Sequence, residues 1–166
     1  LWVLAAMIAV VGIPVLLFDA FKGWFGVWIA ANTGFFPTGS ETMINFQLAM
    51  GISAVLGHVF PVFAGFRGGK GVATLFGVVI ALFPLAVLLV AVIFTLVFVI
   101  TKYVSLGSIL SAVSFPFIVI FVSKVESESL IAFSIIISLF IPFTHQKNIK
   151  RLLNGEESKM RFRKKD

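Results

Sequence analysis

Cysteine is absent from this 166-residue chain, tyrosine occurs once and histidine twice. Without cysteine there is no disulfide framework, no thiolate zinc site and no thiol nucleophile. Charge is scarce too. Only 12% of residues are Asp, Glu, Lys or Arg, against roughly 25% in an average soluble domain. That leaves too little polar surface for a water-soluble globule. Two common catalytic signatures are also missing: there is no G-x-S-x-G elbow and no H-E-x-x-H helix. Neither histidine is followed five residues later by an aspartate. Phe63 stands there after His58, and Lys150 after His145.

What the chain has is hydrocarbon: 60% hydrophobic residues and a mean hydropathy of +1.11. A segment inside a bilayer must satisfy its own backbone, so only helices or a closed barrel can span. The apolar runs are continuous rather than alternating, which selects helices. The expected fold is all-α, a polytopic integral membrane helical bundle. Spans are expected within residues 1–31, with Pro14 as a kink or entry point, then at 43–56, at 106–122 and at 130–143. The apolar stretch 72–100 is expected to form a hairpin of two short helices turning near Pro84. That makes about six crossings.

The distribution of charge orients them. Residues 145–166 hold eight of the thirteen Lys and Arg against three acids, which marks the tail as cytoplasmic. Arg67 and Lys70 place the glycine-rich loop on the same side. The polar turns 32–42 and 123–129 then face outward. The domain expectation is a membrane bundle over 1–144 and a cytoplasmic basic tail over 145–166 that begins with a helix. The tail suits anionic membrane lipid, and no nucleic-acid partner is expected. Residue 1 is Leu rather than Met, no signal peptide is indicated, and the chain reads as a fragment or an altered N-terminus.

Three segments carry chemistry. The first is "GHVFPVFAGFRGGKGVAT" (57–74), which places Gly65, Gly68, Gly69 and Gly71 around Arg67 and Lys70. Glycines let backbone N–H groups converge on an anion. Lys70 adds a compact charge and Arg67 a fork suited to phosphate. The helix that follows favours anions at its N-terminus. It is not a Walker A loop, because Gly71 stands where Ser or Thr is required. A flexible turn with cytoplasmic positive charge is the alternative reading. The second is "TKYVSLGSI" (101–109), where Ser105 and Ser108 stand at helical spacing. They suit either a phosphate or glycerol hydroxyl, or the packing of membrane helices. The third is "HQKNIKRLLNGEESK" (145–159). His145 and Asn148 are expected to share a helix face, suited to a polyol phosphate or to the lipid surface, and Gly155 is expected to end the helix. Asp19 and Lys22, at i, i+3 in mid-span, are expected to form a structural ion pair or a strut beneath a site.

Taken together these three segments, with "GIPVLLFDAFKG" (12–23), resemble the bacterial acyl-phosphate:glycerol-3-phosphate acyltransferases, the PlsY family. The likeness runs from residue 12 to about 159. It implies a seven-helix inner-membrane enzyme with its active site on the cytoplasmic face. The implied reaction moves a fatty acyl group from acyl phosphate to the 1-hydroxyl of glycerol 3-phosphate, giving lysophosphatidic acid and phosphate. No metal, cofactor or covalent acyl-enzyme is implied, and acyl phosphate would come from a functionally linked enzyme. By resemblance Gly68, Gly69, Lys70, Gly71 and Thr74 match the phosphate-binding loop, with Arg67 beside them, and Lys70 supplies the charge. Ser105 or Ser108, His145 and Asn148 match the glycerol 3-phosphate positions, and Glu157 the acid of the G-x-E ending. His58 is expected to orient the loop, with a role as base the alternative. The opening "LWVLAAMIAVV" matches nothing of the Ser- and Arg-bearing loop that precedes the second helix in that family. That loop and the first helix are therefore expected to be absent, and with them a Ser and an Arg that the resemblance assigns to the phosphate site. The rival readings are a transport or anion-binding protein, which would place charges and broken helices at mid-membrane, and a structural membrane subunit.

Overall fold

A computed structural model describes residues 8–69 and 71–160. The first seven residues of the apolar opening, Lys70 and the last six residues lie outside the described residues. Among those described there are helices and turns but no strand. The chain forms two compact units, Leu1–Pro84 and Leu85–Asp166.

In the first unit a π-helical turn (Ile8–Gly12) leads into α1 (Ile13–Asn32). Pro14 sits in the first turn of α1, directly after the π-helical turn, the kind of local change in helix type that a proline brings. α2 (Glu41–Val59) begins where Ser40 Oγ accepts from the Met43 N–H at 3.1 Å, with Glu41 in the first turn, a helix start written in the local sequence. α3 (Val72–Leu82) follows the glycine-rich loop. α1 lies at the centre and packs on both α2 and α3. Small residues permit this. A Cβ on Gly23 would strike the Thr74 carbonyl, and one on Gly77 would strike the Ala20 carbonyl, so α1 and α3 meet backbone to backbone. Gly51 of α2 accepts the Val78 side chain in the same way: an added Cβ would lie 2.7 Å from Val78 Cγ1. The opposite side of α1 carries the stacked rings of Phe21, Phe25 and Trp28, with centroids 5.3 and 5.6 Å apart.

The second unit holds α4 (Pro84–Thr101), α5 (Val104–Phe117), α6 (Glu128–Thr144) and α7 (Gln146–Leu153). The break between α3 and α4 falls at Phe83-Pro84, where the sequence places it. Ser111 Oγ of α5 donates to the Val90 carbonyl of α4 at 3.0 Å, and Gly107 fits against the Phe94 ring. α5 continues beyond Pro116 as a π-helical turn (Ile118–Val122), a local change that a helix proline commonly brings. α5 and α6 pack through Phe115, Val119, Leu130 and the fully buried Ser134. Ser127 caps α6, accepting from the Leu130 N–H at 3.3 Å.

Leu88, Val92, Leu96 and Val99 line one side of α4 and are all exposed. So are Leu16, Leu17 and Phe21 on α1. Apolar residues facing outward along whole helices require a hydrocarbon solvent. Among the described residues, four helices have the length and composition of a span: Val10–Asn32, Glu41–Val59, Pro84–Thr101 and Val104–Val122. α6 with α7, bent by 60°, adds a fifth. The remaining expected span, α3, has 11 residues and a length of about 16 Å, half of a hydrocarbon core about 30 Å thick.

Candidate active site

α2 ends at Val59, and Phe60 and Pro61 turn the chain into a short 3₁₀ turn, Val62–Ala64. Gly65 and Phe66 both take φ +60°. That conformation is free for glycine and strained for phenylalanine. The loop is pinned at its base: the Phe66 N–H donates to the Pro61 carbonyl at 3.0 Å, and the Gly69 N–H to the His58 carbonyl at 3.3 Å. Gly71, at φ +72°, then starts α3 with no side chain capping the helix. The first N–H groups of α3 therefore open beside the glycines, with the positive end of the helix dipole behind them.

Behind the loop stands a charged cluster drawn from two helices. Lys22 Nζ lies 2.6 Å from Asp19 Oδ1, and His58 Nδ1 lies 3.3 Å from the same oxygen. The intramembrane ion pair expected of Asp19 and Lys22 is there, and it has a third member that the sequence does not announce. A groove of about 730 Å3 runs past this cluster. Asp19, His58, Gly69 and Gly71 line it together with the apolar Val15, Leu16 and Phe76. Thr74 is fully buried, and its hydroxyl has no hydrogen-bond partner among the described residues. Gly68 lies against the His58 and Val59 carbonyls. Arg67 is exposed.

The second unit has a different polar centre. Glu157 Oε1 accepts from Ser105 Oγ at 2.7 Å and from Asn148 Nδ2 at 2.9 Å, and Oε2 accepts from Arg151 Nε at 2.8 Å. Gly155, at φ +71°, makes this possible. The Glu156 N–H returns to the Arg151 carbonyl at 2.8 Å and the Gly155 N–H to the Leu152 carbonyl at 3.2 Å, a Schellman ending that turns the chain back along α7. The returning strand is fixed again where the Met160 N–H donates to the Lys102 carbonyl at 2.9 Å and Lys159 Nζ sits 5.3 Å from the Tyr103 ring centroid. The hydrogen bonds from Asn148 and Ser105 hold the Glu157 carboxyl below its ordinary value; partial burial opposes them and the Arg151 charge assists.

Of the expected site residues, Ser105, Asn148 and Glu157 thus come together, and Asp19, Lys22 and His58 come together beside Gly68, Gly69, Gly71 and Thr74. Ser108 does not join them; its hydroxyl donates to the Val104 carbonyl of its own helix at 3.1 Å. His145 and Asn148 do not share one helix. His145 is the hinge between α6 and α7, with Nδ1 2.9 Å from the Ile141 carbonyl, while Asn148 lies within α7. Arg151 is the member that spacing alone did not pick out. Its signal is the Gly155 helix stop, which brings Glu157 back over the basic last turn.

A polytopic helical membrane protein with a glycine-rich loop at a helix N-terminus is the class that this architecture defines. Within that class, the chain belongs to the glycerol-3-phosphate acyltransferase family, whose profile matches residues 3–155. It is 40% identical to the glycerol-3-phosphate acyltransferase of Fusobacterium nucleatum, over 93% of this chain and 75% of that protein. It is 38% identical to that of Chlorobaculum tepidum, over 93% of this chain and 77% of that protein. The fold resembles the crystal structure of PlsY (YgiH), an integral membrane glycerol 3-phosphate acyltransferase, in its glycerol 3-phosphate form. That likeness has a TM-score of 0.67 and 36% identity, and covers 90% of this chain and 71% of the other. The lysophosphatidic acid form of the same protein gives a TM-score of 0.66.

Proposed function

We propose that this chain transfers a fatty acyl group from acyl phosphate to the 1-hydroxyl of glycerol 3-phosphate at the cytoplasmic face of a bacterial inner membrane. The observation that carries the reading is the Gly68–Gly71 loop. It leads without a side-chain cap into the first turn of α3, and its Gly69 and Gly71 line a groove shared with Asp19, His58 and the apolar Val15, Leu16 and Phe76, in a chain of this family. An anionic head at a helix N-terminus with an apolar tail beside it is the chemistry of an acyl phosphate. The loop, with Lys70, Arg67 and Thr74, takes the phosphate. Ser105, Asn148 and His145 serve glycerol 3-phosphate, with Glu157 fixing the first two.

The glycerol 1-oxygen attacks the acyl carbon. The bond from that carbon to the phosphate oxygen breaks, its electron pair leaves on phosphate, and the hydroxyl proton passes to a phosphate oxygen. No acyl-enzyme forms. Catalysis consists of holding two anions in reach and stabilising charge on the departing phosphate. Acyl phosphate is supplied by a separate enzyme.

The test is formation of lysophosphatidic acid by purified protein in lipid, with acyl phosphate and acyl-CoA compared as donors. Product from acyl phosphate alone is expected. Product from acyl-CoA alone, or transfer that does not need glycerol 3-phosphate, would contradict the reading.

A further inference from the structure

We infer that His58 is a positioning residue whose imidazole, anchored by Asp19, fills the space beside Gly69 and so sets the path of the phosphate loop. The inference rests on the acyltransferase reading for its activity arm and on geometry alone for its stability arm. His58 lies on the last turn of α2 and Asp19 on α1, so the 3.3 Å contact between Nδ1 and Oδ1 ties two helices. Lys22 holds the same carboxylate oxygen from the other side at 2.6 Å. With Asp19 Oδ1 beside its Nδ1, the ring presents its Nε2 edge to the loop. A Cβ built on Gly69 collides with that Nε2 and lies 3.0 Å from Cε1 and 3.2 Å from Cδ2. The backbone of the same histidine holds the loop as well, through its carbonyl and the Gly69 N–H.

Gly69 therefore differs from its neighbours. Gly71 has a positive φ and Gly68 faces the backbone carbonyls of His58 and Val59, so neither can be relieved by changing a side chain. Gly69 is not among the glycines with positive φ, and the three atoms nearest a Cβ built there all belong to the His58 ring. A side chain there is excluded by His58, and removing the ring should readmit it. That makes the interlock measurable as a coupling between two positions.

The experiment compares Gly69→Ala, His58→Ala and the double variant, with His58→Asn as the conservative change. The Asn amide nitrogen can take the place of Nδ1 against Asp19 but brings no ring edge and no base. Thermal unfolding of the intact protein in detergent is read beside kcat/KM for lysophosphatidic acid formation. Gly69→Ala alone is expected to lower kcat/KM about tenfold or more, as overpacking does, and to lower the unfolding midpoint. In the His58→Ala background the same change should be close to neutral in both readouts. His58→Asn should retain more activity than His58→Ala, and should also tolerate Ala at 69. If Gly69→Ala is as harmful without the ring as with it, the interlock is wrong. If His58→Asn is as inactive as the alanine variant while its midpoint is unchanged, the imidazole is a base and not a positioning group. Wild-type protein that makes no lysophosphatidic acid would defeat the acyltransferase reading, while the unfolding midpoints would still decide the interlock.

Discussion

Replacing Gly77 by alanine tests how the membrane unit holds its loop. The added methyl would overlap the Ala20 carbonyl oxygen and lie 2.7 Å from the Ala20 carbonyl carbon and 3.0 Å from the Trp24 nitrogen. All three are backbone atoms of α1, so no rotamer change relieves the clash. Ordinary contact needs about 3.5–4.0 Å, so relieving the overlap with the Ala20 oxygen requires a local separation of α1 and α3 of roughly 2 Å. Overpacking of this kind costs about 1–3 kcal/mol, and the upper half of that range is expected because two helices must move. α3 begins at the phosphate loop, so activity should fall with stability. Gly57→Ala is the control: a Cβ there meets nothing within 4 Å, and alanine in a helix is favoured over glycine by up to about 1 kcal/mol. Thermal unfolding followed by tryptophan emission suits the question, because Trp24 and Trp28 both lie on α1. Gly23→Ala strikes the same pair of helices at the Thr74 carbonyl, so the double variant should lose less than the sum of the singles. Equal midpoints for Gly77→Ala and Gly57→Ala would refute backbone-to-backbone packing.

Other consequences can be checked separately. A carboxyl lowered on folding stabilises the fold above its ordinary value, 4.5 for Glu157, and loses that contribution as pH falls through the lowered one. Hydrogen exchange at the Met160 amide should therefore stay slow from neutral pH down to 4.5 and quicken only below it; release near pH 6 would contradict the tether. Ser105→Ala removes a donor from Glu157 and should lower activity, whereas Ser108→Ala loses only a bond to its own helix and should leave activity within about twofold. If both serines behave alike, the assignment of Ser105 fails. For topology, single cysteines at Arg67 and Lys102 should resist an impermeant thiol reagent added outside intact cells, while one at Lys124 should react. No native cysteine competes, and outside labelling at Arg67 would overturn the orientation.

Local signals were readable in the sequence, and contacts made at a distance were not. Phe83-Pro84 ends one helix and opens the next because proline disfavours helical backbone in the residue before it and suits the first turn of a new helix. Gly155 stops α7 because its φ is positive. The glycine-rich loop is visible from composition, and its residues do lie at the start of α3. The bond between Asp19 and His58 joins residues 39 positions apart in the chain, and no periodicity encodes it. Ser105 meets Glu157 across 52 positions, which the sequence suggests only through the turn at Gly155. Helical spacing assumes one continuous helix, whereas the chain bends by 60° between α6 and α7 and His145 stands at the cap of α7 rather than within it. Span counting met a similar limit at α3, where composition is as apolar as any span but the helix is only 11 residues long.

The most direct test of the account is the rate of lysophosphatidic acid formation by Lys70→Ala beside wild-type protein, with acyl phosphate and glycerol 3-phosphate as substrates. Lys70 stands between Gly69 and Gly71 in the sequence, within the segment proposed to hold phosphate. Loss of one charge-assisted contact to a bound phosphate should cost on the order of 2–4 kcal/mol of transition-state binding, a fall of roughly thirty- to a thousandfold in kcat/KM. Lys70→Arg should recover only part of it, because a planar fork does not replace a compact ammonium. The unfolding midpoint should stay unchanged in both variants. Near-normal turnover by Lys70→Ala would mean that the glycine-rich segment is a turn and not the phosphate site.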